Sequence, residues 1–114
     1  MSITLYHNPR CSKSRAALDL LEKTGTAVEV FEYLKETLTV SRLSELVTLL
    51  DIPAIELVRQ NEPEWERCGA NAQSPANRIL KAICDQPVLL QRPIAVRGQR
   101  AVVGRPPERV LELL

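Results

Sequence analysis

The chain opens with a strand, a cysteine-containing loop and a helix, and this order is the strongest constraint on its fold. Residues 3–6 are rich in apolar and β-branched side chains, and Cys11 stands between them and a helical pattern over residues 12–23. Gly25 suits the C-terminal end of that helix. Residues 27–33 then alternate apolar and polar side chains, which is the period of a strand. A strand, a helix and a second strand in this order favour a parallel, right-handed β-α-β unit.

The middle of the chain is typical of helices. Thr39 or Ser41 can cap a helix whose apolar positions have 3.6-residue spacing, and Pro53 is expected to end it. A short helix is predicted over residues 54–58. Residues 60–74 show no regular period, so we expect an irregular segment there.

A second helical stretch is predicted to start at Ser74-Pro75, a cap residue followed by proline at the first helical position. Its apolar face is formed by Ile79, Leu80, Ile83 and Cys84. Residues 94–96 and 101–103 are predicted to be two short strands, and the turn between them contains Gly98.

A last helix is predicted over residues 108–114, so the complete order is β-α-β, helices, β-β-α. This order resembles the thioredoxin-like α/β fold, with a mixed sheet and a helical insert between the N-terminal β-α-β and C-terminal β-β-α halves. That fold usually has a cis-proline before the strand that follows the insert, and Pro93 falls at this position. We expect one domain over residues 1–114.

Charge and cysteine content exclude several classes of function. The net charge is +1, which gives no electrostatic case for binding nucleic acid or a membrane surface. No apolar run approaches the ~20 residues of a membrane span, and no signal segment precedes the first strand. Three widely spaced cysteines and one histidine argue against a disulfide scaffold or a metal site. We therefore expect a cytoplasmic protein with no bound cofactor.

The environment of Cys11 is typical of a reactive thiolate. A cysteine at a helix start faces backbone N–H groups and the positive end of the helix dipole. Three cationic residues lie within four positions of it, at Arg10, Lys13 and Arg15. Both effects favour the thiolate, which is the nucleophilic form of cysteine, and the same loop can bind an oxyanion.

Four segments resemble the glutaredoxin-coupled arsenate reductases. They are Tyr6-His7-Asn8-Pro9-Arg10-Cys11 with Ser14-Arg15, then Leu57-Val58-Arg59 with Glu62-Pro63-Glu64, then Leu90-Gln91-Arg92-Pro93-Ile94-Ala95-Val96, and finally Gly104-Arg105-Pro106-Pro107-Glu108. They occur in order over essentially the whole chain. The resemblance implies an oxidoreductase that reduces arsenate to arsenite. It also implies glutathione as co-substrate and glutaredoxin as the partner that resolves a mixed disulfide.

The resemblance also implies roles for particular residues. Cys11 attacks the arsenic, and His7 supports the thiolate. The oxyanion is held by Arg59, Arg92 and Arg105. For two of these arginines the local sequence also supports an oxyanion-binding role. Arg92 and Arg105 each precede a proline in an apolar neighbourhood, and a planar guanidinium suits oxyanion binding. Arg59 is selected by the resemblance alone.

The roles of the smaller and more peripheral groups stay open. Ser14 and Arg15 are expected among the substrate-binding residues. Ser14 can donate a hydrogen bond to the sulfur or satisfy a helix N–H group as a capping residue does. His7 can be a satisfied polar residue at a strand end instead of a support for the thiolate. Cys68 can be a resolving thiol only if it comes within ~7 Å of its partner, Cα to Cα. Cys84 is expected in the core.

Two other functions compete with arsenate reduction. One is a redox-responsive, partner-binding protein like the Spx-type transcription regulators, which carry Cys-x-x-Cys at this loop. Ser14 occupies the position of the second cysteine, which argues against a disulfide switch at that spacing. The other is reduction of a different thiol substrate, such as a glutathione mixed disulfide. We expect a monomer in each case.

Overall fold

The computed structural model describes residues 2–114, and its contacts divide the chain into two compact units. The first unit combines residues 2–36 with residues 92–114, and the second comprises residues 37–91. The second unit is the helical insert predicted between the two halves. The single domain expected over residues 1–114 stays a prediction.

A four-stranded mixed sheet forms the centre of the first unit. Its strands are β1 (Ile3–His7), β2 (Val28–Glu32), β3 (Ile94–Arg97) and β4 (Arg100–Val103). The strand order is β2-β1-β3-β4, with β1 parallel to β2 and β3 antiparallel to both β1 and β4. This arrangement confirms the predicted thioredoxin-like α/β class.

One face of this sheet is covered by α1 (Ser12–Lys23) and a 3₁₀ segment, Pro107–Leu113. The core between them is apolar and includes Ile3, Leu5, Ala17, Leu21, Ala95, Val102, Val110 and Leu113. The bounds of α1 are those predicted, and Gly25 follows its end with a φ of +76°, a left-handed conformation that glycine adopts without strain. The last element is a 3₁₀ segment where an α-helix was predicted.

The second unit is built from helices. They are α2 (Val40–Leu50), α3 (Pro63–Arg67) and α4 (Ala76–Asp85), with 3₁₀ segments at Ala54–Leu57 and Pro87–Leu89. Helix α4 packs against α2 and against both 3₁₀ segments. Among residues 2–114, no helix is long and apolar enough to cross a membrane.

Helix α2 confirms one sequence prediction and corrects another. Thr39 is its cap, because the Thr39 side chain accepts a hydrogen bond from the Arg42 backbone N–H. The helix ends at Leu50, where Asp51 takes a left-handed conformation with φ 54°, and so it ends before Pro53.

The segment between α2 and α4 departs furthest from prediction. Residues 60–74 were expected to be irregular, yet α3 lies within them and starts with proline at its first position. Ser74 does not cap α4: its hydroxyl accepts from the Asn71 backbone N–H, and the helix begins at Ala76. Cys84 is half-buried and lies outside the fully buried set of α4.

The peptide bond before β3 has the geometry that is usual at this position of the thioredoxin-like fold. The Arg92–Pro93 peptide bond is cis, and so is the Arg105–Pro106 bond, which was not predicted. Between these bonds the Gly104 backbone N–H donates to the Pro93 carbonyl at 2.8 Å. A Cβ atom at position 104 would lie 2.8 Å from Pro93 Cγ and 3.1 Å from Val110 Cγ1. Gly104 is therefore required by close packing.

Gly104 and Gly25 differ in the reason for glycine, so substitutions at the two sites should rank in opposite order. Gly104→Ala should lower the free energy of unfolding by about 1–3 kcal/mol through overpacking, and the larger Gly104→Asn by more. Gly25→Ala should cost about 1–2 kcal/mol of left-handed backbone strain, with Gly25→Asn costing less because asparagine tolerates that conformation. Urea unfolding of the four variants measures these free energies of unfolding. A smaller loss for Gly104→Asn than for Gly104→Ala would contradict the steric explanation for Gly104.

Candidate active site

Cys11 is the N-cap residue of α1, on the loop that joins this helix to β1. Its backbone is extended, with φ −91° and ψ 122°, and its side chain is partly exposed. The Cys11 backbone N–H donates to the Asn8 carbonyl at 3.0 Å, and the Asn8 side-chain oxygen accepts from the Arg10 N–H at 3.0 Å. These two bonds form a compact turn that holds the sulfur at the helix N-terminus.

The surroundings of Cys11 favour its thiolate form. Burial raises the pKa of the Cys11 thiol. Three hydrogen bonds act in the opposite direction, from the Ser14 backbone N–H, the Arg92 side chain and the Lys13 backbone N–H. Together with the positive charge of Arg92 they hold the pKa of Cys11 below its ordinary value. The sulfur is therefore a nucleophile at a site already arranged for negative charge.

Ser14 joins the loop to the first turn of α1. Its side chain is fully buried, and its hydroxyl lies 2.7 Å from His7 Nδ1 and accepts from the Asn8 backbone N–H at 3.1 Å. The hydroxyl thus contacts His7 and Asn8, whereas the Ser14 backbone N–H is the group that acts on Cys11.

The surroundings of His7 favour its neutral form. Burial lowers the pKa of His7, and the nearby Arg15 charge lowers it further, while the Glu32 carboxylate partly opposes them. A neutral imidazole cannot stabilise the thiolate by charge. The structure connects His7 to the loop through Ser14.

Two of the three arginines that the resemblance places on the oxyanion lie in the same unit as Cys11. Arg92 is 9% exposed and directly precedes the cis-proline at the start of β3, from where it acts on the Cys11 sulfur. The Arg105 Nε–H donates to the Arg92 carbonyl oxygen at 2.8 Å. Arg105 therefore supports the backbone that carries Arg92. Arg15 is exposed, and its guanidinium donates to the Pro9 carbonyl at 3.0 Å, on the outside of the Cys11 loop.

Arg59 and Cys68 belong to the second unit. The Arg59 backbone N–H donates to the Leu89 carbonyl at 2.7 Å, and its guanidinium lies 3.7 Å from the Glu62 carboxylate. Its side chain is 18% exposed. The Cys68 thiol donates to the Trp65 carbonyl at 3.0 Å, at the C-terminal end of α3.

Two residues of the Cys11 region carried no sequence prediction of a role. Asn8 is buried and organises the loop by both its side chain and its backbone. The pair Asn8-Pro9 is a common start of a turn and could have indicated this. Tyr33 follows β2 and is completely buried. Its proximity to the site depends on the pairing of β1 with β2, which no local pattern encodes.

Among residues 2–114, no group of three or more histidine, cysteine, aspartate or glutamate side chains could hold a metal ion.

Arg92 and Ser14 should affect Cys11 differently. In a Cys68→Ser/Cys84→Ser background, the rate of Cys11 alkylation by iodoacetamide should rise with pH through the Cys11 pKa, because the thiolate is the reactive form. Arg92→Gln should move that midpoint to higher pH and slow alkylation severalfold below it. Ser14→Ala keeps the backbone N–H, so it should leave the midpoint in place while lowering the free energy of unfolding by about 1–3 kcal/mol. An equal shift in both variants would show that the Ser14 hydroxyl, and not its backbone, stabilises the thiolate.

Comparison with known proteins identifies the family. A family model described as "ArsC family" matches residues 6–113. The chain is 40% identical over 114 residues to "Uncharacterized protein YfgD" of Escherichia coli K12, covering 98% of this chain and 96% of that protein. It is also 40% identical to an arsenate reductase of Neisseria meningitidis serogroup A, covering 98% and 97%.

A solved structure, an arsenate reductase from Vibrio cholerae, superimposes with a TM-score of 0.94 at 38% identity, covering 100% of this chain and 98% of the other. The match over residues 6–113 and these full-length similarities include the Cys11 loop, Arg92 and Arg105. The chain belongs to the ArsC family.

Proposed function

We propose that this protein is an arsenate reductase in which Cys11 attacks the arsenic of a bound arsenate ion. The observation that carries the proposal is the Cys11 sulfur at the N-terminus of a 12-residue helix, with its pKa lowered by two backbone N–H groups and by Arg92. Relatives that are 36–40% identical over nearly the whole chain bear the name arsenate reductase.

The first step forms a bond between sulfur and arsenic. The Cys11 thiolate supplies the electron pair, one arsenic–oxygen bond breaks, and that oxygen leaves as water after taking up protons. A thiolate and an oxyanion repel each other, so the step needs positive charge and N–H donors placed beforehand. Arg92 and the helix N-terminus supply them, and preorganised donors of this kind are typically worth ~3–4 kcal/mol each in a transition state.

The second step transfers two electrons to arsenic. A glutathione thiolate attacks the Cys11 sulfur, the sulfur–arsenic electron pair stays on arsenic, and As(V) becomes As(III), which leaves as arsenite. The product is a disulfide between Cys11 and glutathione, and a glutaredoxin thiol exchanges with it to free Cys11. One arsenate and two thiols thus give one arsenite, one disulfide and one water. These reductants place the proposed reaction in the cytoplasm.

The remaining predicted residues have binding or supporting roles in this proposal. Arg59 and Arg105 join Arg92 in holding the oxyanion. The Nε–H of Arg105 is bonded to the Arg92 carbonyl, and its terminal N–H groups are the proposed donors to the anion. Ser14 and His7 hold the loop through their mutual hydrogen bond, and Arg15 adds positive charge beside it.

Cys11→Ser should abolish arsenate-dependent NADPH oxidation in an assay with glutathione, glutathione reductase and glutaredoxin, because serine is not ionised at neutral pH. Cys84→Ser is the matched control and should keep full activity, since burial raises the pKa of that thiol and favours its unreactive form. Full activity of Cys11→Ser would refute the mechanism. NADPH oxidation by the wild type with a glutathione mixed disulfide, but none with arsenate, would favour the thiol-substrate alternative.

Arg59→Ala should lower kcat/KM for arsenate by roughly 10- to 100-fold, the usual value of a hydrogen bond to a charged group. Arg109→Ala is the control, because Arg109 is about half exposed and pairs with Glu112. Arg59→Lys should recover part of the loss by restoring the charge. Equal kcat/KM in Arg59→Ala and Arg109→Ala would remove Arg59 from the oxyanion site.

A further inference from the structure

Tyr33 is placed beside the Cys11 loop by the pairing of β1 with β2. In the parallel register His7 lies opposite Glu32, and these are the last residues of β1 and β2. The residues that directly follow the two strands are therefore Asn8 and Tyr33. Tyr33 is completely buried.

The hydroxyl of Tyr33 is buried, and although the Asn8 and Arg92 side chains lie near it, no group among residues 2–114 makes a hydrogen bond of ordinary distance and angle to it. A buried hydroxyl without a partner is destabilising, and most buried polar groups in native proteins are paired. A polar group in this state at the edge of an active site is a candidate for bonding a ligand.

The groups around this hydroxyl are those of the candidate active site. Burial raises the pKa of Tyr33, and the Cys11 sulfur raises it further. The Arg92 charge and the polar groups of Asn8 and Arg92 lower it, but the net direction is upward. The phenol therefore keeps its proton throughout the neutral range and acts as a neutral hydrogen-bond donor.

We propose that the Tyr33 hydroxyl donates a hydrogen bond to an oxygen of the oxyanion bound at Cys11. This inference rests on the proposed function, and it adds a neutral donor to the cationic ones. The site has to hold an anion next to a thiolate, so each donor that adds no negative charge of its own lowers their repulsion. The role is binding and not acid catalysis, because a phenol with a raised pKa is a poor proton donor to a leaving oxygen.

Tyr33→Phe tests the proposal, since it removes the hydroxyl and keeps the buried ring. The measurement is protection of Cys11 from iodoacetamide in the Cys68→Ser/Cys84→Ser background, without any thiol reductant. The probes are inorganic arsenate and its unreactive analogue inorganic phosphate. The concentration for half-protection should rise about tenfold or more in Tyr33→Phe, as expected for a lost hydrogen bond to a charged ligand.

Tyr6→Phe is the matched control, because it removes a hydroxyl from another buried tyrosine, which lies in the neighbouring strand β1. It should leave half-protection unchanged. Without anion, the pH midpoint of Cys11 alkylation should be the same in both variants as in the parent protein. The thermal midpoint of Tyr33→Phe should equal or exceed that of the parent, because the substitution removes a buried hydroxyl that has no partner in the unliganded protein.

Several results would overturn the inference. One is unchanged protection in Tyr33→Phe, and equally no protection of the parent protein by either anion. Another is a shifted alkylation midpoint in Tyr33→Phe, which would show that the hydroxyl acts on the sulfur. A further one is a lowered thermal midpoint with a loss of protection, which would indicate a structural role. Protection of the parent together with no arsenate reduction in the coupled assay would refute the proposed function while leaving Tyr33 as an anion-binding residue.

Discussion

The hydrogen bonds of the Ser14 hydroxyl hold together the part of the structure on which the chemistry depends. They join the first turn of α1 to the last residue of β1, through His7, and to the loop backbone, through Asn8. The loop between these elements has to carry Cys11 at the cap position with its sulfur outward. Because His7 and Asn8 are both buried, the core of the first unit fixes the geometry of this loop before any ligand binds.

A fixed loop explains how a partly buried sulfur can be a good nucleophile. Burial alone would raise the pKa of Cys11 and leave an inert thiol. The backbone N–H groups of α1 and the side chain of Arg92 reverse this, since they stabilise only the charged form. Arg92 is itself buried, and Arg105 bonds its carbonyl, so this charge is held in place by the fold. Donors that need no rearrangement are those that contribute most to catalysis.

The sequence predicts best where local pattern and global fold agree. The bounds of α1 and the order of the elements follow from periodicity and cap residues, and the resemblance of that order to the thioredoxin-like fold makes Pro93 a candidate for its cis-proline. Prediction fails where tertiary contacts override a local pattern: α3 is a single turn within a polar stretch, too short to show a period. Serine is a common helix-capping residue, but the Ser74 hydroxyl accepts a hydrogen bond from the Asn71 backbone N–H in the preceding turn. Tyr33 could not be assigned to the site, because strand pairing is not a local property.

Ser14 also decides how Cys11 is regenerated. In a Cys-x-x-Cys loop the second thiol attacks the first after reaction, and the protein supplies both electrons. Here the corresponding oxygen is buried and bonded to His7 and Asn8, so position 14 is structural as well as thiol-free. A sulfur at that place would be larger and a weaker hydrogen-bond partner for His7 and Asn8, so the protein would be less stable. The loop thus favours regeneration of Cys11 by an external thiol. The partial exposure of Cys11 leaves its sulfur accessible to that thiol.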